Sequence, residues 1–511
     1  MQSVNRALRD SLIVGAVALL VRIPAFFAPQ SLGFDDGQFA MSVIAMRHGG
    51  LPFRQVFSSQ GPLFLPIAWL GDLLTFRGIN SPRAASVASG VVLAIVVLHL
   101  GRRVTAANAA RFAALLVALS GSVLWTTAPL TSDGIGAALT AGAALAAVVY
   151  WRAPSLRRAI VIGLVGGAAL AVKSLLVIPG LVAAALWVLL RRRARDILAV
   201  PVVAVAVVLL VSAPWGLGRV YDQYVRYHTD AVADRPIGAN FHKLVTTFFE
   251  RDLPMFVAGV VTLLVVLAVA ARRRRQASEA APAAAVADPD GPRAPWFPIA
   301  VWLVLALLVV LTESPMWRNH VAHVAVPFAL LVGVGLGVST MAERFVAVAA
   351  GLAILAAPWS VVHLGELLRP QPATGNTARL ERRLRALPAG ALVISDTPGL
   401  VWRAGRRVPD RYVDVSILRI TSPTASLKLT GDDIVADAAR PDVCAVVRWS
   451  DKRFTQFPDL GRRLRAEGYR PELRRPHSPE VLWRKVTCRP GGGDARGGRT
   501  TAAAAPARSP G

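Results

Sequence analysis

The chain has 511 residues, 54% of them hydrophobic and only 17% charged, against roughly 25% charged in a soluble globular protein. With a mean hydropathy of +0.49, this excludes a string of soluble domains, extended disorder and a collagen-like chain, and two cysteines exclude a disulfide-stapled scaffold. A net charge of +26 would point a soluble chain towards nucleic acid, but in so apolar a chain arginine first sets membrane orientation, and no nucleic-acid partner is read from it.

A membrane-crossing helix needs about 20 apolar residues. Eleven stretches are predicted to span: 12–28, 84–100, 109–127, 135–151, 159–172, 174–190, 197–215, 254–271, 296–312, 323–340 and 345–363. As one helix, 159–190 would be about 48 Å long, too long for one crossing. Arginines flank both its ends, at 157–158 and 191–193, so it reads as a hairpin with Lys173 near the turn. Arg102, Arg103, Arg344 and the arginines within 152–158, 191–195 and 272–275 then share the side of the N-terminus, which the positive-inside rule makes cytoplasmic. Arg22 interrupts the end of the first span, which reads as a signal anchor.

The prediction is a multi-pass protein of the cell inner (plasma) membrane, with helices over 1–363 and outer loops at 29–83 and 216–253. An Ala/Pro-rich cytoplasmic linker lies at 276–295. An extracytoplasmic unit follows at 364–490, and 491–511 reads as a disordered tail.

The first outer loop carries adjacent carboxylates, Asp35 and Asp36, between Gly33 and Gly37. An amphipathic stretch follows at 39–47, then a Gly-Gly turn, then Gly61-Pro62 opening an apolar segment at 63–74. That segment is too short to span and contains Asp72, so it reads as interfacial. The loop is predicted to be a lid of helices lying flat at the headgroups. The acidic pair either caps a helix starting near Gly37 or is catalytic.

Farther along, Asp133 opens a span, as an N-cap with Ser132 or as a contact facing a cavity. Tyr221, Tyr224 and Tyr227, three apart, either anchor a helix in the headgroups or stack on a sugar or isoprenoid. In "RNHVAH", His320 and His323 share a helical face behind Arg318. No carboxylate stands at helical spacing, and Pro315 separates Glu313, so no metal is assigned; a divalent cation is unsupported, and no cofactor is expected.

From Asn376 the pattern changes to alternating short helices and strands. The strands are "ALVISD", "PDVCAVVRW" and "EVLWRKV", and Thr430 caps a helix over "GDDIVADAAR". This predicts a small α/β domain with a mainly parallel sheet, whose ligand would lie near residues 395–399. No Gly-rich loop follows its first strand, so a nucleotide is not expected. From Glu366 on, 27 basic residues face 15 acidic ones, and an anionic polymer or lipid surface is the natural partner. Cys444 and Cys488 either pair or leave Cys444 as a buried thiol.

Several of these places occur in the order of a known family: the acidic pair, "GG-P-R", "GPL", "TSDG", "VKSLLVIPG", "PWGLG" and "RNHVAHVAVP". Over about 12–363 the chain resembles the GT-C class of polytopic membrane glycosyltransferases, and within it glycosyltransferase family 39, which includes protein O-mannosyltransferases and lipid A aminoarabinose transferases, in an actinobacterial type. The resemblance implies an inverting transfer from a polyprenyl-phosphate-linked sugar to an acceptor on the outer side: a cell-envelope glycan, lipid or protein. It implies Asp35 as general base, with Asp36 where glutamate is usual. Lys173, Arg318 and Arg54 are candidates, by predicted depth and side, for the cation that meets the departing phosphate, and the resemblance implies a substrate contact for Asp133. Gln60 stands where the family often has a basic residue. Tyr221, Tyr224, His228, Arg235, His320 and His323 are further substrate-binding candidates. The competing readings are a flippase for lipid-linked sugars, disfavoured because ionisable residues sit at the span ends, and a non-catalytic envelope-assembly protein.

Overall fold

The structure, a computed structural model, describes residues 2–231, 237–277, 293–337, 342–420, 428–474, 478 and 480–489. Arg235, most of the predicted linker (278–292) and the predicted tail lie outside these residues.

The chain is a polytopic helical bundle with a small sheet near its C-terminus. Every predicted span overlaps a helix or a pair of helices, the last residues of the tenth (338–340) lying outside the described residues. Among the described residues six helices are long and apolar enough to cross a membrane: Ser81–Val104, Ser132–Arg152, Ala194–Trp215, Ile237–Arg272, Arg318–Leu336 and Ala342–His363. A seventh crossing needs Ala107–Leu119 and Gly121–Thr127 together, and these are bent by 58°. The other four predicted spans fall on Gln2–Leu20 with Ile23–Phe26, Leu156–Val172, Leu175–Leu189 and Phe297–Thr312. The longest of these last three has 17 residues, a rise of about 26 Å, just short of the hydrocarbon thickness.

The breaks have local causes. Ser120 leaves helical geometry, and its hydroxyl accepts from Val123 N, capping the next helix. Opposite, Ile237–Ala277 kinks at Asp252, two residues before Pro254. Ser120 Oγ donates to Asp252 Oδ1 at 2.6 Å, tying the two breaks together. The run 159–190 divides at Lys173, which is extended (φ −143°, ψ 132°), as its length and flanking arginines predict.

The sheet has the order β1 (Leu392–Ser395), β2 (Val443–Arg448), β4 (Val481–Lys485), β3 (Tyr469–Arg474). Only β1 and β2 are parallel; β4 runs antiparallel to both neighbours. The predicted mainly parallel sheet is therefore corrected to a mixed one. The strand missed in the sequence is β3, an edge strand with Pro471 and one buried side chain, Tyr469, so it lacks the apolar run that marks β1 and β2. Cys444 in β2 and Cys488 beyond β4 form a disulfide, Cα to Cα 5.2 Å.

The C-terminal unit shares its core with the first long loop. One apolar cluster contains Phe39, Met41 and Val43 of helix Phe34–Arg47, Phe64 of helix Phe64–Leu74, and Ile394, Val401, Trp402 and Val446 of the C-terminal unit. At the seam a Cβ on Gly37 would stand 2.5 Å from Gly399 Cα, so backbone meets backbone with no room for a side chain. Trp402 Nε1 donates to Ile79 O (3.0 Å), Arg403 Nη1 to Asn80 Oδ1 (2.7 Å), Ser59 Oγ to Asp414 Oδ2 (2.8 Å) and Tyr227 OH to Ser416 O (3.0 Å).

Candidate active site

Between the first long loop, the ends of the helices and the C-terminal unit lies a cavity of about 810 Å³. Gly33, at φ +95°, turns the chain into helix Phe34–Arg47, so Asp35 and Asp36 lie in its first turn. From there the two carboxylates have different environments.

Asp36 is fully buried. Arg83 holds it through Nη2 (2.5 Å) and Nε (3.0 and 3.2 Å), and Leu32 N and Leu130 N donate to its two oxygens at 2.8 and 2.9 Å. Burial alone would raise its pKa, but the Arg83 charge and these donors hold it below the usual range. Arg83 spends its remaining donors on the carbonyls of Ala25, Ala28 and Gln30. The catalytic reading of Asp36 is thereby corrected: its acceptor positions are filled, and it locks the loop to the bundle.

Asp35 lines the cavity, with no hydrogen bond or ion pair among the described residues. Burial pushes its pKa up to about 6; the charges of Asp133 and Asp414 add to this, and Lys173 and His320 partly oppose it. A carboxylate that is ionised near neutrality yet readily takes a proton is suited to general-base work.

Gln60 and Lys173 face the same space because Gly61 packs on the end of helix Leu156–Val172. Gly61 N donates to Val172 O (3.2 Å), and a Cβ there would stand 2.2 Å from Ala171 O. Lys173 Nζ lies 3.2 Å from Asp133 Oδ1 and 3.4 Å from Gln60 Oε1, which also accepts from Ser132 Oγ at 2.7 Å. Asp133 is buried one layer behind the cavity wall, with His323 Nε2 3.4 Å from Oδ1. Asp133 and His323 thus support Lys173 and do not line the cavity.

His320 lines the cavity and is paired through Nδ1 with Glu313. The chain folds back at Ser314–Pro315, bringing in the carboxylate that linear spacing had set aside. Even so, no group of three or more His, Cys, Asp or Glu able to hold a metal occurs among the described residues. Arg318 donates through Nε to Thr247 Oγ1 (3.0 Å) and pairs with Glu250.

The tyrosine stripe is not a single face. Tyr221–Arg226 is a π-helix in which Tyr221 is 59% exposed, whereas Tyr224 and Tyr227 are buried against the cavity. Their hydroxyls donate to Leu170 O (2.7 Å) and Ser416 O. His228 Nε2 lies 2.9 Å from Ser59 O. Burial and the charge of Lys173 lower the His228 pKa to about 4, so it is neutral at pH 7. Two candidates leave the site altogether. Tyr221 points away, and Arg54 is outside the cavity, its Nη2 donating to Pro214 O at 3.0 Å.

Residues not expected from the sequence complete the lining. Lys243 and Arg251 come from helix Ile237–Ala277, Trp317 from the turn before Arg318, and Arg419 and Arg453 from the C-terminal unit. Arg453 stacks over Phe34 at 3.6 Å, and Arg419 over Trp317 at 4.7 Å. Among the described residues six lysine and arginine side chains thus line the cavity: Lys173, Lys243, Arg251, Arg318, Arg419 and Arg453. They face three carboxylates, of which Asp36 and Glu313 are engaged. The space suits an anionic group beside one free base.

Residues 59–217 match the family described as dolichyl-phosphate-mannose-protein mannosyltransferase, which is less than a third of the chain. No curated protein matches. ArnT from Cupriavidus metallidurans in the apo state superposes with a TM-score of 0.63 at 14% identity, over 93% of this chain and 98% of that one. The same protein bound to undecaprenyl phosphate gives 0.62 at 15%, over 92% and 97%. The oligosaccharyltransferase AglB from Archaeoglobus fulgidus, in complex with an inhibitory peptide and a dolichol-phosphate, gives 0.50 at 12%, over 86% and 69%. At these identities the likeness is one of fold, and the chain has the GT-C membrane fold that its sequence resembles.

Proposed function

We propose that the chain is an inverting membrane glycosyltransferase that moves a sugar from a polyprenyl-phosphate donor to an acceptor hydroxyl on the extracytoplasmic side of the plasma membrane. The observation that carries this reading is Asp35, an unpaired carboxylate in a cavity otherwise dominated by cations.

Asp35 takes the proton of the acceptor hydroxyl while its oxygen bonds to the anomeric carbon from the face opposite the phosphate. The bond from that carbon to the phosphate oxygen breaks, its electron pair leaves with the polyprenyl phosphate, and the configuration inverts. Lys173, held by Asp133 and Gln60, and Arg318 meet the charge of the leaving phosphate. The undecaprenyl phosphate bound to ArnT and the dolichol-phosphate bound to AglB support a donor of this class. The family match over residues 59–217, which contain Gln60, Asp133 and Lys173, supports it as well.

The orientation reading puts the N-terminus in the cytoplasm and the cavity outside, where lipid-linked sugars are used. The excess of basic residues from Glu366 on favours contact with an anionic membrane surface. The test is an assay of the purified protein in lipid with a panel of polyprenyl-phosphate sugars. Asp35→Asn should lower turnover at least about a hundredfold; turnover at the parent rate would sink the assignment.

A further inference from the structure

A second cleft of about 650 Å³ opens on the other side of Phe34. It lies between the segment 30–34 and the C-terminal unit and shares Gly33, Phe34 and Arg453 with the first cavity. Its size falls within the roughly 300–1,000 Å³ usual for ligand sites. We propose that this cleft is the acceptor subsite and that it takes an uncharged oligosaccharide, presenting a hydroxyl to Asp35 past the Phe34–Arg453 stack. This rests on the glycosyltransferase reading and adds to it the acceptor's class.

Three observations support it. The first is position. Phe34 adjoins Asp35 in the chain and belongs to the walls of both spaces, so an acceptor lying in the cleft approaches the base from a side that Lys173 does not occupy.

The second is charge. Among the described residues the lining contains Asp451, Glu480 and Glu381, the last paired with Arg385, and one cation, Arg453, which is already stacked on Phe34 and donates to Asp396 O at 3.2 Å. The first cavity has the opposite balance. A phosphate is drawn to the first and a carboxylate-bearing polymer is turned away from the second. The anionic acceptor that the overall charge favours thus gives way to an uncharged one, while the surface charge is left for the membrane.

The third is surface chemistry. Trp449 offers a half-buried ring whose Nε1 makes no hydrogen bond among the described residues. Carboxylates accept from sugar hydroxyls, and an aromatic ring packs on the apolar face of a pyranose. Glu381, 5% exposed, gives one oxygen to Arg385 at 3.0 Å and has the other, Oε1, unpartnered.

The test measures binding to the whole protein in nanodiscs, using four probes: an uncharged linear hexasaccharide, a hexasaccharide of the same length carrying carboxylates, a Ser/Thr-rich peptide, and undecaprenyl phosphate. The uncharged hexasaccharide should bind most tightly of the first three. Trp449→Ala should weaken it at least tenfold and Asp451→Lys at least threefold, with undecaprenyl phosphate affinity unchanged in both. Because Asp451 is exposed, its variant keeps the test valid should the tryptophan change disturb the core. Parent-like hexasaccharide binding by both variants overturns the proposal, as does tighter binding of the anionic saccharide or the peptide. If undecaprenyl phosphate fails to bind the parent while the hexasaccharide binds as described, the donor reading falls and the cleft stands.

Discussion

Lys173 Nζ stands 3.2 Å from Asp133 Oδ1, so the cation offered to the leaving phosphate is held by a carboxylate that itself does not line the cavity. The two residues are forty positions apart in the chain, at the start of one span and the break of another. Removing one partner of a buried pair leaves the other uncompensated. Asp133→Asn should therefore lower kcat tenfold or more and destabilise the protein. A double-mutant cycle with Lys173→Gln, read as turnover and thermal midpoint, should show strong coupling; additive effects would contradict the pairing.

Asp35 and Asp36 should separate cleanly. Asp35→Asn is expected to lower turnover at least about a hundredfold without lowering the thermal midpoint, since Asp35 has no ion-pair partner to lose among the described residues and burial disfavours its charge. Asp36→Asn should cost about 3–5 kcal/mol, because Arg83 is then buried without its counter-charge. The measurement is thermal unfolding in detergent beside activity in lipid.

The rate should depend on pH with a definite sign. The base form of Asp35 is the working form, and its pKa is raised to about 6. Turnover should therefore rise as pH rises through about 6 and level off above 7. An apparent pKa near 4 in the kcat/KM profile would show that the environment of Asp35 is not as described.

Two changes should do little. Arg54→Ala and Tyr221→Ala remove side chains outside the cavity, so each should keep turnover within about twofold of the parent, consistent with the small effect of most surface substitutions. A tenfold loss from either would return that residue to the site.

Much of the bundle was legible because its cause is linear: spans are long apolar runs, and Arg157 to Arg193 forced the break at Lys173. Asp35 and Gln60 could be singled out beside the glycines of the first loop, and Lys173 because the arginine-flanked run had to turn near it. The Glu313–His320 pair was not legible, because helical spacing cannot describe a chain that doubles back at Ser314–Pro315. Nor were Arg419 and Arg453: they stand among many arginines of an apparently separate domain, and only tertiary packing brings them to Phe34 and Trp317. Tyr221 was misplaced because a π-helix turns through more residues than the α-helix assumed for it.

The meeting of Gly37 with Gly399 reaches beyond packing. Segments more than three hundred residues apart, joined also from Trp402 to Ile79 across 323 positions, are packed as one unit. A chimera that exchanges the C-terminal unit alone would set foreign side chains against a surface shaped for bare backbone. Recombination between relatives should succeed only when the loop and the unit travel together.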